Sequence, residues 1–360
     1  MKNLLFVLHN LSIGGTESIV TKLAINLKND YQISVLVLDK KGEFANLLAK
    51  ENIPIYYLNR RQGWKLENFI KFFKIIRLIK PDIINAHQYS SVFFSIISKI
   101  FFITNAKIIF TEHGRHYPDY VSLKRKLANK ILFKFVTKIT AVSNFTKTAL
   151  IKNEGLTSNI DIIYNGIISK FDTNINLRQE LKLPNDAKII GFIGSLRRVK
   201  NPMLAIEVFK NLNIENSYLV FIGDGDLRND LKEKVNQYQV NDKVFFLGNK
   251  FPAINYLKDL DIFIQTSFSE ANPLALLEAQ SLGIPCVVTD VGGTKDVITN
   301  RENGILVPID DVVRFRNAIL DILNNNQLRN KLSDNSKEVF NKKFREDIMF
   351  QSYRELFKQL

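Results

Sequence analysis

Lys188-Ile189-Ile190-Gly191-Phe192-Ile193-Gly194-Ser195-Leu196-Arg197-Arg198 is the stretch on which the reading of the fold turns. An apolar run ends in a glycine and a short polar turn, and a helical pattern over Pro202–Leu212 follows it. A short, near-continuous run of Ile, Val, Leu and Phe is what a parallel strand needs when helices cover both faces of its sheet. The chain has already run through this alternation once before it reaches Lys188, so here the pattern restarts.

Upstream, the candidate strands are Asn3–His9, Gln32–Leu38, Ile53–Leu58, Asp82–Ala86, Lys107–Thr111, Lys138–Val142 and Asp161–Tyr164. Helical patterns separate them at Thr16–Asn29, Lys65–Ile79, Ser90–Phe102, Leu123–Phe135 and Asn144–Lys152. Downstream, strands are expected at Lys188–Ile193, Tyr218–Ile222, Val244–Leu247, Asp261–Gln265, Pro285–Thr289 and Gly304–Val307. The helices between them are Pro202–Leu212, Leu227–Gln237, Phe251–Lys258, Pro273–Leu282, Gly293–Ile298 and Asp310–Asn325. Strand and helix alternating twice over predicts an α/β protein of two doubly wound domains. The 360 residues suit two such domains. The polar stretch Ser169–Asp186 reads as the linker, and Asp334–Leu360 reads as one long helical segment without strands.

Composition is that of a soluble globular chain, 46% hydrophobic and 24% charged. The single cysteine, Cys286, excludes an internal disulfide and sits in an apolar run, where it reads as core packing. The N-terminal run Leu4–Leu8 lacks a small-residue cleavage site and reads as a buried strand, not a signal peptide. The longest apolar stretch, Val92–Ile103, is interrupted by Ser95, Ser98 and Lys99 and falls short of a membrane span. A cytoplasmic location is expected. Net charge is +14, and it is uneven: residues 1–168 carry 24 Lys and Arg against 11 Asp and Glu, while residues 169–360 carry 26 against 25. A basic first half attracts an acidic partner. Nucleic acid is among the candidates on charge alone, but no nucleic-acid-binding motif is present.

In open α/β sheets ligands bind beyond the carboxyl ends of the strands. The segments that follow the strands of the first half hold Gly14-Gly15, His87, His113, Ser143 and Asn165-Gly166; those of the second hold Gly194-Ser195-Leu196-Arg197-Arg198, Gly223-Asp224-Gly225, Ser267 to Glu270 and Asp290 to Gly293. Gly14-Gly15 stands between a strand and a helix, where backbone can approach an anion closely; equally it suits a tight turn with no ligand. It is not the dinucleotide fingerprint. The strongest constellation is Ser267-Phe268-Ser269-Glu270-Ala271-Asn272-Pro273-Leu274-Ala275-Leu276-Leu277-Glu278-Ala279. Asn272 is placed to cap the helix and Pro273 to be its first residue, leaving first-turn N–H groups for a diphosphate. Glu270 and Glu278 can each accept hydrogen bonds from a vicinal diol.

Glu270 and Glu278, with seven residues between them, resemble the E-x7-E signature of the retaining glycosyltransferases of family 4 (group 1), which have the GT-B fold. The resemblance extends to Leu282–Gly293, Asn303–Val307, Gly223–Leu227, Tyr164–Gly166, Ala141–Ser143 and the Gly14-Gly15 turn, and so covers nearly the whole chain. It implies two Rossmann-like domains facing each other across a cleft. Residues 1–168 would bind acceptor and residues 169–344 the nucleotide-sugar donor, with a final helix at about 345–360 returning to the first domain. Glu270 would contact the donor sugar and Glu278 the ribose. Lys200 matches a lysine that neutralises the diphosphate. The usual arginine after the glycine is replaced by Ser195, so Arg197 or Arg198 would take that part. His113 matches a histidine near the donor sugar, while His87 and His116 are candidates for acceptor contact. Gly14, Gly15, Ser195, Gly223, Asp224, Ala271, Asn272, Pro273 and Leu274 complete the expected donor site, and Ala271-Asn272 departs from the family's usual Gly-Phe.

The implied reaction is same-face transfer through an oxocarbenium-like state, with Lys200, an arginine and a helix N-terminus stabilising charge on the leaving phosphate. No cofactor and no metal are expected. No residue stands out as a nucleophile or base, which leaves the donor phosphate to take the acceptor proton. The donor would be a nucleotide diphosphate sugar, most commonly a UDP-sugar, and the acceptor a glycan or lipid-phosphate-linked intermediate of cell-surface polysaccharide. Two basic amphipathic patterns, Lys65–Lys80 and Leu123–Phe135, suit an anionic membrane surface at the inner face, and equally suit ordinary helices with lysines in water. A nucleotide-sugar epimerase on the same fold and a non-catalytic donor-binding subunit are the alternatives.

Overall fold

The computed structural model describes residues 1–61, 65–114, 121–156, 159–170 and 174–360. It divides into unit 1, Met1–Gly166 with Glu346–Leu360, and unit 2, Ile167–Arg345. Unit 1 holds β1 (Asn3–Leu8), β2 (Gln32–Val37), β3 (Ile55–Tyr57), β4 (Ile83–His87), β5 (Lys107–Glu112), β6 (Lys138–Ala141) and β7 (Ile160–Ile162). Unit 2 holds β8 (Lys188–Ile193), β9 (Ser217–Ile222), β10 (Val244–Phe246), β11 (Ile262–Gln265), β12 (Cys286–Thr289) and β13 (Ile305–Val307). All thirteen coincide with expected strands to within two residues at each end.

The orders are β3-β2-β1-β4-β5-β6-β7 and β10-β9-β8-β11-β12-β13, with every pairing parallel. Each sheet therefore reverses direction once, between β1 and β4 and between β8 and β11. At such a switch the connections leave towards opposite faces, and a crevice opens at the carboxyl ends of the two strands. Buried apolar side chains fill the layers between sheet and helices, among them Leu5, Val7, Phe72, Ile84 and Phe110 in unit 1 and Ile190, Phe192, Phe221, Ile264 and Phe315 in unit 2.

The structure departs from the expected elements in several places. The last segment is two helices, Asn326–Lys343 and Glu346–Lys358, where one helical run over Asp334–Leu360 was expected. The break falls at Phe344 and Arg345: Phe344 is fully buried and its carbonyl accepts from the Ile167 amide at 3.0 Å. The second of these helices lies in unit 1, where Phe357 meets Phe6 and Tyr31, and Arg354 binds Asp30 and Asn26. The polar segment Ser169–Asp186 contains a short helix, Leu177–Glu180, capped by Asn176. The helix expected over Phe251–Lys258 is confined to Ile254–Leu257.

Candidate active site

Unit 2 brings Lys200 and Glu270 together. Lys200 follows β8 and Glu270 follows β11, so the two residues, far apart in sequence, stand on either side of the β8–β11 switch. The Lys200 Nζ donates to Glu270 Oε1 at 2.6 Å and Oε2 at 2.8 Å. Ser267 Oγ also donates to Oε1, at 2.6 Å. Glu270 is buried, and its carbonyl accepts from the Gly293 amide at 2.8 Å. A buried carboxylate is tolerated when it is paired and hydrogen-bonded in this way.

The surrounding loops are tied to each other. The Phe268 amide donates to the Val199 carbonyl, and Thr266 Oγ1 bonds the Lys200 and Asn201 carbonyls at 3.1 and 2.7 Å. Thr289 Oγ1, at the end of β12, donates to the Ser267 carbonyl at 2.6 Å. The hydroxyls of Thr266 and Thr289 were not singled out in the sequence as site-forming, whereas Ser267 heads the constellation that was. A hydroxyl three residues before an acidic residue was the visible signal, but only at Ser267.

Arg197 and Arg198 are exposed, and among the described residues neither has a carboxylate within ion-pair distance. They are free cations at the rim of the crevice. Gly223, at φ +137°, lies so close to the Gly194 carbonyl that a Cβ would stand 2.0 Å from its oxygen, and a Cβ on Gly225 would stand 2.5 Å from the Leu196 carbonyl oxygen. These glycines let the turns after β8 and β9 pack backbone to backbone. Asp224, expected at the donor, binds Arg228 at 2.9 Å and the Gly225 amide at 2.8 Å.

The helix carrying Glu278 runs Leu274–Leu282. Its cap is Pro273 in extended conformation, without a side-chain capping bond. Asn272 therefore does not cap it, and Pro273 is not its first residue: the backbone turns helical one position later than expected. The Leu277 amide is the first to bond back, to the Pro273 carbonyl at 3.2 Å, so the amides of Leu274, Ala275 and Leu276 are those at the open end. Ala271 and Glu278 are half-buried.

In unit 1, the buried His87 and the half-buried His113 form a pair. His87 Nδ1 and His113 Nε2 are 2.7 Å apart. Burial first, and the neighbouring His113 second, hold His87 well below the ordinary imidazole value. Burial lowers His113 to about 4. Both rings are neutral near pH 7, and one donates its N–H to the other's lone pair. His116 lies outside the described residues. Gly14 has an extended backbone and precedes a helix that begins at Gly15, one residue before the expected start. The same unit contains a cavity of about 680 Å³ at the carboxyl ends of β1 to β4. Its lining includes the aromatic Phe69, Tyr89 and Phe93 and also Arg60, held by a bidentate pair to Asp39. Among the described residues no group of three His, Cys, Asp or Glu side chains is placed to hold a metal ion.

Residues 13–170 match the family model described as Glycosyltransferase Family 4, and residues 173–339 match that described as Glycosyl transferases group 1. The chain is 29% identical over 291 residues to the Escherichia coli UDP-Gal:alpha-D-GlcNAc-diphosphoundecaprenol alpha-1,3-galactosyltransferase, covering 76% of this chain and 74% of that one. It is 26% identical over 258 residues to the Bacillus anthracis N-acetyl-alpha-D-glucosaminyl L-malate synthase, covering 70% and 67%. Among solved structures it is similar to Anabaena HepE in complex with UDP-glucose, with a TM-score of 0.89 and 20% identity over 100% of both chains. At that identity the likeness is one of fold.

Proposed function

Since this chain belongs to the group 1, family 4 glycosyltransferases and has their GT-B fold, we propose that it transfers a sugar with retention from a UDP-sugar to a lipid-linked or polysaccharide intermediate of cell-surface glycan assembly. The observation that carries this reading is the Lys200–Glu270–Ser267 cluster at the strand-order switch of unit 2. It sets a cation and a carboxylate side by side, which are the two charges that a sugar diphosphate needs.

When donor binds, Lys200 turns its charge to the diphosphate and Glu270 accepts from the sugar hydroxyls. As the bond between the anomeric carbon and the leaving oxygen breaks, negative charge grows on the β-phosphate. Lys200, Arg197 or Arg198, and the open amides of Leu274, Ala275 and Leu276 stabilise that charge. Glu278 takes the ribose hydroxyls. His113, neutral through burial, is assigned to hydrogen bonding with the sugar; it is not an acid at pH 7. The leaving phosphate receives the acceptor proton. The scheme uses no metal ion. The cavity of unit 1, lined by both aromatic and charged side chains, suits an acceptor that is part apolar and part polar. The choice of UDP rests on the UDP-Gal for which the Escherichia coli relative is named and the UDP-glucose of the Anabaena structure. The lipid-linked acceptor rests on the first of these.

The test is nucleoside diphosphate release from UDP-, GDP-, ADP- and dTDP-sugars, with and without a lipid-linked acceptor extract, in the presence and absence of EDTA. Release from UDP-sugar, raised by acceptor, unchanged by EDTA and giving an axial product from an axial donor, is expected. Release of free sugar without acceptor would point to an epimerase, and donor binding without turnover to a non-catalytic subunit.

A further inference from the structure

The two basic helical patterns of unit 1 turn out to be different objects. The helix Leu66–Ile79 is ordinary in that it buries an apolar stripe: Phe72 and Ile76 enter the core and Lys71, Lys74 and Arg77 face water, with Leu66, Ile70 and Leu78 also exposed. The helix Leu123–Leu132 is inverted. Its inward side is mainly polar, with Leu132 at its end packed against the core. Asn129 is 1% exposed, accepts from the Tyr89 hydroxyl at 2.6 Å and donates to the Glu154 carbonyl at 2.9 Å. Arg125, one turn before it, forms a bidentate pair with the buried Glu154 and lies over the Tyr89 ring at 4.4 Å. The apolar side faces out, with Leu123 75%, Leu127 63% and Ile131 65% exposed.

At 3.6 residues per turn those three side chains fall within about 80° of arc, and lysines flank them: Lys130 and Lys126 on one side, Lys124 on the other. A helix that buries its hydrogen-bonding residues and shows its leucines to solvent is the reverse of a globular surface helix. The Asn129–Tyr89–Glu154–Arg125 network, centred on the buried Asn129 and Glu154, fixes its rotation, so the exposed stripe is held in place.

We propose that this outer face of Leu123–Leu132 docks on an anionic lipid surface, with Leu123, Leu127 and Ile131 entering the acyl boundary and Lys124, Lys126 and Lys130 meeting the headgroup phosphates. Charge selects this occupant. A second copy would set lysines against lysines, which opposes association, whereas an anionic bilayer satisfies both the stripe and its flanks. No described helix is long and apolar enough to cross a membrane, so the contact is one of lying on the surface. The inference does not depend on which sugar is moved.

The experiment is co-sedimentation of the full chain with vesicles of phosphatidylcholine and phosphatidylglycerol, and with phosphatidylcholine alone. Wild type binds the anionic vesicles and leaves them as salt rises. Leu127→Ser weakens binding about tenfold. Lys124→Gln and Lys130→Gln weaken it about fivefold each. Lys71→Gln, on the ordinary helix, changes it less than about twofold. Unchanged melting and UDP affinity in all four variants separate this from misfolding and from failure of the donor site. Equal binding to neutral vesicles, or no loss in Leu127→Ser, overturns the proposal. So does a wild-type dimer that Leu127→Ser turns into monomer while vesicle binding stays the same, which would assign the stripe to a second copy.

Discussion

Replacing Lys200 by Met removes one partner of a mostly buried pair and, on the proposed mechanism, one charge from the transition state. The two effects can be separated. At about 2.7 Å and an effective dielectric of about 20, the Coulomb attraction of the pair is roughly 6 kcal/mol. Most of it is offset by the cost of desolvating Glu270, which is 7% exposed. A net contribution of about 2 kcal/mol remains, the range of a hydrogen bond to a charged group. Glu270 keeps its Ser267 bond at 2.6 Å, which limits the damage. In a unit of this size that loss lowers the melting midpoint by about 4–8 °C. The catalytic loss is larger, about 10²–10³ in kcat, as for removal of one group aimed at developing charge. The assay is nucleoside diphosphate release at saturating donor, well below the melting transition, with circular dichroism on the same sample. A Lys200→Met enzyme that melts several degrees early yet turns over within threefold of wild type would refute the reasoning: the pair would then serve only the fold. The double variant with Glu270→Gln adds a second check, since two residues in direct contact must show non-additive stability losses.

Three further outcomes follow from the same geometry. Arg197→Ala and Arg198→Ala should leave stability within about 0.5 kcal/mol of wild type because both side chains are exposed, while one of the two raises the donor KM about tenfold; equal and unchanged KM in both would remove the arginine from the scheme. Gly223→Ala should unfold earlier and bind UDP more weakly, since its Cβ would meet the Gly194 carbonyl oxygen at 2.0 Å with φ at +137°; Gly14→Ala should be mild, because there the new Cβ meets only the movable end of Glu17, and calorimetry with thermal melts compares the two. Both histidines have folded values below the ordinary 6.5, His113 at about 4. Below pH 6.5 the unfolded chain binds protons that the folded chain does not, so their contribution is complete above that pH and is lost as pH falls from 6.5 towards 4; denaturant titrations across that window should show a shallower pH slope in His87→Asn and His113→Asn.

The strands, the two-fold alternation and the stretch from Ser267 to Ala279 were legible because they are local properties. Parallel strands buried on both faces must be continuous apolar runs, and glycines must stand where turns bring backbone against backbone, as at Gly223. The sequence by itself therefore determined the elements, the restart at Lys188 and the identity of the charged residues near strand ends. It did not determine which strand lies beside which. The Lys200–Glu270 bond exists because β8 and β11 are neighbours at the switch, a pairing across more than seventy residues that local periodicity does not encode. The same holds for the break at Phe344, which depends on a bond from Ile167. Periodicity also shows that an apolar stripe exists but not which way it faces. Leu66–Ile79 and Leu123–Leu132 look alike in sequence, and only the contacts of the buried Asn129 with Tyr89 and Glu154 turn the second helix outward. Tertiary structure decided these features because each is a contact between elements, and its free energy depends on partners supplied by distant parts of the chain.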